Sequence, residues 1–478
     1  MKNIRYVIGI LVALAVVTSC RKDDLLTDPS ARLEFSEDTV LFDTVFVTMG
    51  STNHQLLVYN NNDKRIRVST IKLAGGSASR FRINVNGVSG TEFHDIEISD
   101  KDSLWIFVEV TINPGSANLP FIVDDSIMFE TNGNIQFVKL VAWGQNAHFI
   151  KPTNFVQGLP PYDIIQCTGN GAEWDSILPY VIYGYAVVDS ACTLTIKEGT
   201  RIHFYNNSGL WVYKDATLKV EGTKEHPVQF RGTRLEPYYD DIAGQWDRIW
   251  INEGSVNNSI NYAVIKNAFI GLQCEPIIDD MAQKNITITN TRIENMTGVG
   301  IYARNYKVRA TNCLIANSGA YGGAFTEGGD YVFTHCTFAN YWNSSQRQTP
   351  TVYINNFYVD KNEIAQPVDL VNCNFRNCIV WGTEEQEIEP EMVNGGQSNF
   401  LFETTLIRVK SNFSTSDASH YQNIYLNNDP NFKSPYSNDF RLDTMSYAKD
   451  KGNPAYVTGA AIFDLLGIDR TAHLPPDL

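Results

Sequence analysis

The chain has 478 residues, with 53 acidic and 38 basic side chains and a formal charge of −15 at pH 7. Its 43% of hydrophobic residues excludes a disordered chain, and the length predicts two or three domains. The acidic balance argues against nucleic-acid binding, which needs a basic face for the phosphates. Asn is unusually abundant, with 44 copies against 33 Gly. Because Asn favours turns over helix interiors, a mostly helical fold is disfavoured.

The N-terminus has the pattern of an export signal. Lys2 and Arg5 precede an uncharged, mostly apolar stretch, residues 6–17. This stretch is too short to span ~30 Å of hydrocarbon, although a membrane anchor is the alternative interpretation. Residues 17–20, Val-Thr-Ser-Cys, resemble a bacterial lipobox. The resemblance implies a signal peptide at 1–19, cleavage before Cys20 and acylation of Cys20. Loss of Lys2 and Arg5 then changes the formal charge to −17.

A tether, residues 20–32, is predicted next. Its residues 21–24, Arg-Lys-Asp-Asp, resemble the export signal of surface lipoproteins from gut-type Gram-negative anaerobes. The resemblance implies an outer-membrane location, with the protein held by its lipid alone and facing the cell exterior. A solvated tether without a sorting role is the alternative.

Residues 33–148 alternate apolar and polar positions in short runs rich in β-branched and aromatic residues. Turn clusters such as Asn132-Gly133 separate the runs. Eight such strands predict an immunoglobulin-like (Ig-like) β-sandwich. Segments 43–46, 58–60, 101–104 and 142–145 resemble the amino-terminal Ig-like domain of surface lipoproteins that carry a β-helix, which implies architecture and no chemistry. The predicted strands are 44–48, 55–59, 65–73, 81–85, 94–98, 103–112, 125–130 and 135–142.

A repeat with a period near 22 residues lies within residues 160–431. Each copy has an Ile or Phe two residues before Asn, and a small residue two before that. Stacking the copies ~4.8 Å apart aligns equivalent positions into a continuous core, with the Asn amides bonding between coils. The region resembles the right-handed parallel β-helix family. The predicted ladder comprises Asn267, Asn295, Asn317, Asn340 and Asn377, with Cys313, Cys336 and Cys373 at the small position.

Residues 432–478 resemble the closing segment of such lipoproteins, and we expect them to cap the last coil because open sheet edges invite aggregation. The predicted fold class is therefore all-β: an Ig-like β-sandwich, then a right-handed parallel β-helix (solenoid) with a C-terminal cap.

Seven Cys remain besides Cys20. They show no CxxC pair and no zinc spacing, so no metal site is predicted. An exported protein often forms disulfides, but an odd number leaves at least one thiol free. Cys313, Cys336 and Cys373 are interpreted as a buried stack, with a disulfide or metal role as the alternative.

Catalytic motifs are sparse. Asp240 and Asp241 form the acidic doublet that a polygalacturonase-like site needs, but the Asn-Thr-Asp and Gly-His-Gly motifs of those enzymes are missing. Asp279 and Asp280 offer carboxylates for a lyase-type Ca²⁺ site without an identifiable basic partner. Acidic doublets on loops are commonly only solvated. No catalytic residue and no cofactor are therefore predicted; Asp240 and Asp241 stay weak candidates, and Ca²⁺ is left open.

Binding is favoured over catalysis. An insertion at residues 233–250 combines aromatic faces that stack on sugar rings with groups that bond hydroxyls. The alternative is that its aromatic residues shield the coil flank, and Trp250 in particular fits a core position. The predicted ligand residues are Tyr238, Tyr239, Trp246, Arg248 and Trp250.

The leading hypothesis is a surface lipoprotein that binds a polysaccharide or another host or extracellular component without catalysis. The first alternative is a polysaccharide lyase or glycoside hydrolase of the β-helix class. The second is a structural or adhesive surface protein. The charge of −17 also makes a polyanionic substrate a poor match.

Overall fold

The computed structural model describes residues 25–113, 121–276 and 283–478. The predicted signal peptide, Cys20, residues 21–24 and the Asp279-Asp280 doublet lie outside the described residues. The chain divides into two compact units, Met1–Asn146 and Ala147–Leu478. Within the described ranges, no helix has the length and apolar character needed to cross a membrane. The structure is all-β with long parallel sheets, as the sequence predicts.

The first unit forms two five-stranded sheets in its described part. Its strands are β1 (Glu34–Phe35), β2 (Thr39–Phe46), β3 (His54–Asn60), β4 (Ile66–Leu73), β5 (Phe81–Val85), β6 (Val88–Gly90), β7 (Glu92–Ile98), β8 (Asp102–Val110), β9 (Phe121–Thr131) and β10 (Asn134–Gln145). The sheet orders are β1-β3-β8-β5-β6 and β2-β10-β9-β4-β7. Neighbouring strands run antiparallel except β2 and β10, which run parallel.

Alternating burial explains why this sequence forms strands. Every second residue of β8 is buried from Leu104 onwards, so one face of the sheet supplies the core. Aromatic pairs join the two sheets: Phe35 packs on Phe129 with ring centroids 4.9 Å apart, and Phe42 packs on Phe81 at 5.8 Å. All eight predicted segments overlap observed strands, although the bounds differ: segment 44–48 extends past the end of β2 at Phe46, for example. Strands β1 and β6 were not predicted because two or three residues are too short to show an alternation.

The second unit consists of many short strands. They are β11 (His148–Ile150), β12 (Tyr162–Ile164), β13 (Gly171–Trp174), β14 (Tyr180–Val188), β15 (Thr193–Lys197), β16 (Arg201–Val212), β17 (Thr217–Glu221), β18 (Val228–Gly232), β19 (Trp246–Ile251), β20 (Asn258–Asn261), β21 (Ala263–Lys266), β22 (Ala268–Cys274), β23 (Ile286–Thr289), β24 (Arg292–Met296), β25 (Val299–Arg304), β26 (Lys307–Thr311), β27 (Leu314–Ser318), β28 (Gly323–Thr326), β29 (Gly329–Thr334), β30 (Thr337–Asn340), β31 (Val352–Asn355), β32 (Phe357–Val359), β33 (Ala365–Pro367), β34 (Leu370–Arg376), β35 (Ile379–Gly382), β36 (Ile388–Glu391), β37 (Ser398–Glu403), β38 (Leu406–Ile407), β39 (Tyr421–Gln422), β40 (Tyr425–Leu426), β41 (Phe432–Ser434) and β42 (Asp439–Leu442).

Helical structure in the described residues is limited to 3-10 turns of three residues each. They are Gly76–Ala78, Pro237–Tyr239, Pro435–Ser437, Pro454–Tyr456, Gly459–Ala461 and Arg470–Ala472.

The strands of the second unit pair in parallel from coil to coil, in three stacks. The first stack is β13-β15-β17-β20-β23-β26-β29-β34-β37-β39. The second runs β18-β21-β24-β27-β30-β35-β38-β40, and the third runs β14-β16-β19-β22-β25-β28-β31-β36. One coil, such as β23, β24 and β25, therefore contributes one strand to each stack, and its residues lie directly over their equivalents in the next coil.

The core is built from columns of identical positions. In the second stack, pairing of consecutive coils aligns residues that are all fully buried. This column is Ile265, Ile293, Ile315, Phe338 and Val380. Apolar side chains that repeat at one coil spacing fill the interior continuously, and their burial is the main stabilising contribution to the stacked strands.

The corner between the first and second stacks explains the surplus of Asn. In seven consecutive coils, from β20 to β39, one residue has a left-handed backbone there, with φ between 47° and 58°. Asn tolerates this conformation better than other non-glycine residues. The Asn312 side-chain amide donates to Asn290 Oδ1 at 2.7 Å, and Asn290 donates to Asn261 Oδ1 at 3.0 Å. The column is Tyr262, Asn290, Asn312, His335, Asn377, Thr404 and Asn423.

The strand register shows that one member of the predicted Asn ladder was assigned wrongly. Asn267, Asn295, Asn317 and Asn340 occupy equivalent positions at the end of second-stack strands. Asn377 does not belong with them, because it follows a first-stack strand and aligns with His335 at the other corner. The position over Asn340 is taken by Gly382 instead.

The predicted Cys stack is wrong at its third member for the same reason. Cys373 lies in the first stack, opposite Tyr331. The residue aligned with Cys313 and Cys336 is Cys378, which directly precedes β35. Residues 373–377, Cys-Asn-Phe-Arg-Asn, repeat the sequence pattern of the second stack within a strand of the first.

The C-terminal segment covers a flank rather than only the end of the last coil, where the sequence placed it. Phe432 and Phe440 pack against outward-facing side chains of the second stack, including Leu314 and Trp381. Further along, Arg470 donates to Asn312 Oδ1 at 3.0 Å, several coils before the last. Residues 432–478 therefore shield the outer face of the second stack.

Two buried histidines predict a pH dependence of stability. Burial lowers the pKa of His203 and of His335 to about 3 each, against about 6.5 in an unfolded chain. Below about pH 6.5 the unfolded chain binds protons that the folded chain does not, so the free energy of unfolding falls as the pH drops towards 3. Each histidine contributes up to about 1.4 kcal/mol per pH unit. Urea denaturation at a series of pH values measures this slope.

The matched control is His335→Asn, because Asn occupies the same corner in the neighbouring coils. This variant should lower the slope by up to about 1.4 kcal/mol per pH unit between about pH 4 and pH 6. An unchanged slope in the variant would contradict the assignment.

Candidate functional site

A groove of about 690 Å³ lies on the outer face of the third stack. Its lining comes from successive coils, because strands β14, β16, β19 and β22 lie side by side there. The lining includes Tyr185, Asn207, Asp247, Arg248, Trp250, Phe269 and Gln273.

An aromatic platform forms the floor of the groove. Trp211 and Trp250 are aligned in neighbouring strands, and their rings stack with centroids 4.6 Å apart and planes 12° apart. Trp211 is buried, whereas Trp250 is half-buried. Tyr185 meets Trp250 edge-on, at 6.4 Å and 79°. The Trp250 ring is thus held in position by two aromatic neighbours while part of it stays accessible.

A hydrogen-bond network around Glu275 fixes the polar end of this platform. Trp250 Nε1 donates to Glu275 Oε1 at 2.9 Å, and Gln273 Nε2 donates to the same oxygen at 2.5 Å. Arg304 Nη2 donates to Glu275 Oε2 at 2.9 Å. Both carboxylate oxygens of Glu275 are therefore already hydrogen-bond acceptors within the protein.

Asp247 is engaged in the same way. The Tyr185 hydroxyl donates a short hydrogen bond to Asp247 Oδ2, and Arg248 Nε donates to Asp247 Oδ1 at 2.9 Å. Arg248 also donates to Gln273 Oε1. Burial, with the neighbouring Asp247 charge, raises the pKa of Tyr185 above its ordinary value. The phenol therefore stays protonated, as a donor, and is not a base at neutral pH.

Only two of the five predicted ligand residues offer accessible surface to this groove, namely Arg248 and Trp250. Trp246 borders the groove, but its side chain is 1% exposed. Its ring stacks on Phe204 at 4.3 Å, and its Nε1 donates to the Lys266 carbonyl at 2.8 Å. A buried ring has no face for a sugar, so the prediction for Trp246 is corrected to a core position.

Tyr238 and Tyr239 lie on the Pro237–Tyr239 turn and do not line the groove. Tyr238 is 76% exposed. Tyr239 carries the Arg234 guanidinium over its ring at 4.7 Å and accepts a hydrogen bond from Arg234 at 3.2 Å. The predicted set is thus split between a groove and a separate exposed turn.

Asp240 and Asp241, the weak catalytic candidates, do not line the groove either. Asp240 pairs with Arg231 at 2.7 Å, and Asp241 pairs with Lys266 at 2.7 Å. More than half of the Asp240 side chain and of the Asp241 side chain is exposed. These are therefore surface ion pairs of small energetic effect. Their backbone carbonyls accept hydrogen bonds from Asn267 and Asn295, respectively, which attaches the insertion to the Asn ladder.

Sequence reasoning missed most of the groove. Tyr185, Asp247, Gln273, Glu275 and Phe269 were not among the predicted ligand residues, although the structure places them together. They come from strands separated by 25 to more than 60 residues. Aligning the outward position of each coil would have brought Trp211, Trp250 and Gln273 into one column.

The cysteines take no part in the groove's polar network. Cys167 and Cys192 form a disulfide with Cα atoms 6.2 Å apart. The other cysteines in the described ranges are free and buried: Cys274, Cys313, Cys336, Cys373 and Cys378. No group of three or more His, Cys, Asp or Glu side chains is arranged to hold a metal ion within residues 25–113, 121–276 and 283–478.

Comparison with known proteins gives little. No family model and no curated protein matches the chain. A family 123 glycoside hydrolase from Clostridium perfringens shares 9% identity over 25% of this chain and 30% of its own, with a TM-score of 0.19. A PapD-like domain of human CEP192 shares 10% identity over 25% of this chain and 87% of its own, with a TM-score of 0.17.

The E. coli chaperone DraB shares 12% identity over 23% of this chain and 54% of its own, with a TM-score of 0.17. The matched part of the hydrolase is less than a third of that enzyme.

The different burial of the two tryptophans predicts different effects on stability. Trp246→Ala leaves a cavity in the core and should lower the free energy of unfolding by about 3–5 kcal/mol. Trp250→Ala removes a half-buried ring and should lower it by only about 1 kcal/mol. Urea denaturation of both variants measures the difference. Equal losses would show that the two rings are not placed as described.

Proposed function

We propose that the protein is a lipid-anchored surface protein whose third-stack groove binds a glycan without catalysis. In this proposal the first unit is an Ig-like β-sandwich and the second is a right-handed parallel β-helix. Two packed five-stranded sheets support the former. Three strands per coil, paired in parallel and in register, support the latter.

The supporting observation for glycan binding is the Trp250 platform with its polar surround. A flat aromatic face stacks on the apolar face of a sugar ring, and adjacent fixed polar groups bond the hydroxyls. Here the ring is held by Trp211 and Tyr185, and Arg248 and Gln273 lie beside it. A pre-positioned ring loses little conformational entropy when a ligand binds.

The state of the carboxylates favours binding over hydrolysis or elimination. A glycosidase needs one carboxyl group to deliver a proton and another to act as a nucleophile or base. Asp247 and Glu275 each accept hydrogen bonds at both oxygens from protein donors. Both carboxylates are therefore already engaged as acceptors for the protein's own donors. The sequence likewise lacks the Asn-Thr-Asp and Gly-His-Gly motifs of polygalacturonase-like enzymes.

The surface location rests on the N-terminal pattern. Residues 17–20 have the lipobox pattern, and residues 21–24 have the pattern of an export signal. Acyl chains contribute ~0.8 kcal/mol per buried CH₂, so a multiply acylated Cys20 anchors the chain stably. We propose an outer-membrane protein that faces the cell exterior and binds a polysaccharide or another extracellular component.

Lipid attachment predicts that Cys20→Ser prevents incorporation of a labelled fatty acid and releases the protein from the membrane fraction. Metabolic labelling and cell fractionation measure both effects. Cys378→Ser, which changes a buried thiol, is the control and should keep the label. Labelling of the Cys20→Ser protein would contradict the lipid anchor.

Glycan binding predicts that Trp250→Ala weakens the affinity by roughly tenfold or more, because it removes the platform. Binding to a glycan array, followed by calorimetric titration of the strongest ligand, measures the change. Tyr238→Ala is the matched control, since it removes an exposed aromatic residue outside the groove, and it should bind normally.

Failure of every polysaccharide to bind would refute the glycan proposal, and unchanged affinity in the Trp250 variant would refute the site. Reducing-end and absorbance assays with pectin, alginate and glycosaminoglycans test the enzymatic alternative. Turnover of any of these polysaccharides would show that the protein is an enzyme and would refute the proposal of binding without catalysis.

A further inference from the structure

The outer face of the third stack continues beyond the groove, with half-buried side chains except at Ala324, which is buried. The outward position that holds Trp250 continues coil by coil through Gln273, Tyr302, Ala324 and Tyr353. At ~4.8 Å per coil, Tyr353 lies roughly 19 Å along the stack from Trp250. The face therefore has room for a chain of several sugar rings.

A second aromatic pair stands at the far end of this face. The Tyr321 and Tyr353 rings lie 5.6 Å apart, and both are half-buried. The Tyr353 hydroxyl donates to Glu391 Oε2 at 2.7 Å, and Asn355 Nδ2 donates to the same hydroxyl at 3.3 Å. These hydrogen bonds fix the Tyr353 ring as Trp211 and Tyr185 fix the Trp250 ring. The pair has the form of a second stacking position.

The charges along this face are unequal. The comparison covers the third-stack strands from β19 to β36, at their outward positions and at the residue after each strand. These positions include two guanidinium groups, those of Arg248 and Arg304. Both are paired: Arg248 with Asp247 at 2.8 Å, and Arg304 with Glu275 at 2.9 Å. The carboxylates of the same face number five: Asp247, Glu275, Glu327, Glu389 and Glu391.

The excess of negative charge is concentrated near the tyrosine pair. Glu327 is 3.7 Å from Arg304, which it shares with Glu275. Glu389 and Glu391 are exposed, and neither forms an ion pair with a described residue. A ligand at Tyr353 therefore meets two carboxylates with no guanidinium group beside them.

We infer that the ligand is a glycan chain without carboxylate or sulfate groups, extended along the stacking axis from Trp250 to the Tyr321–Tyr353 pair. This inference rests on the proposed function and adds the ligand class and a second subsite. The exposed carboxylates of Glu389 and Glu391 repel the negative charges of uronic-acid and sulfated chains, most strongly at low salt, so these chains bind more weakly than neutral ones. Neutral sugars are accepted, and the ammonium group of an amino sugar is attracted to Glu389 and Glu391.

The first experiment separates the ligand class from the proposed function. The full chain is applied, at low and at physiological salt, to an array of neutral, amino-sugar, uronate and sulfated polysaccharides. Binding confined to neutral or amino-sugar chains supports the inference. Binding led by uronate or sulfated chains overturns it while leaving glycan binding intact. An array without any binding overturns the proposed function itself.

The second experiment tests the charge directly. Polygalacturonate and the same polymer with its carboxyl groups reduced differ at C6 alone, where a neutral hydroxymethyl group replaces each carboxylate. The reduced polymer should bind at least about tenfold more tightly at low salt, with a smaller difference at high salt because ions screen the repulsion. The double variant Glu389→Gln, Glu391→Gln should reduce the difference in affinity between the two polymers. Equal or tighter binding of polygalacturonate, or a difference that the double variant leaves unchanged, would overturn the assignment.

The third experiment tests the second subsite. Affinities are measured for oligomers of the best array ligand, from disaccharide to octasaccharide. Tyr353→Ala should lower the affinity for the longest oligomer by about tenfold and leave the affinity for the shortest unchanged. Trp250→Ala should weaken all of them. Tyr353→Phe keeps the ring and serves as the folding control; because it loses the hydroxyl bonds that fix the ring, its affinity for long oligomers should lie between those of the parent protein and Tyr353→Ala. Equal affinities for long oligomers in the parent protein and the Tyr353→Ala variant would remove the subsite.

Discussion

Parallel, in-register stacking of successive coils is the constraint on which the second unit depends. Because each residue lies over its equivalent in the next coil, a position is effectively shared by a whole column. Inward columns must be apolar, as with Ile265, Ile293 and Ile315. Corner columns need a left-handed backbone and a side chain that bonds to its neighbour, which Asn290 and Asn312 supply. The high Asn content of the chain follows from this requirement.

The candidate site is a consequence of the same stacking. The Trp250 ring is held in place because Trp211, at the same position in the previous coil, stacks on it. Its polar surround is also built across coils, since Tyr185 reaches Asp247 and Arg304 reaches Glu275. Insertions leave the register intact where they occur at corners. The loop between β18 and β19 is held by the Asn ladder, so it extends outward without disturbing the strands.

Much of the fold could be predicted from the sequence, because alternation and repetition are local signals. The strands of the first unit and the repeating coils are examples. A local pattern does not specify the sheet in which it lies, however. Cys373 and Asn377 repeat the second-stack pattern, but Cys373 lies in a first-stack strand and Asn377 directly follows it. Only the pairing of Cys373 with Tyr331 and of Arg376 with Thr334 reveals this. Long insertions between coils change the spacing of the repeat, so spacing alone did not give the correct alignment of these residues with the other coils.

The residues of the candidate groove were harder to predict, because residue type does not determine the direction of a side chain. Strict alternation would place Trp246 and Trp250 on one face of β19. The strand instead has an irregularity after Arg248, opposite the extra residue Gly271 of β22. Trp246 therefore points into the core and Trp250 points out. The partners of Trp250 come from other coils, so no local motif contains them.

Hydrogen–deuterium exchange of the full chain, with and without a saturating glycan, tests the central claim most directly. If stacked coils present the ligand-binding face, added protection should appear in peptides that contain Trp246–Ile251 and Ala268–Cys274 and extend to Val352–Asn355 for a long chain. Protection confined to the first unit, or to the Pro237–Tyr239 turn, would contradict the account.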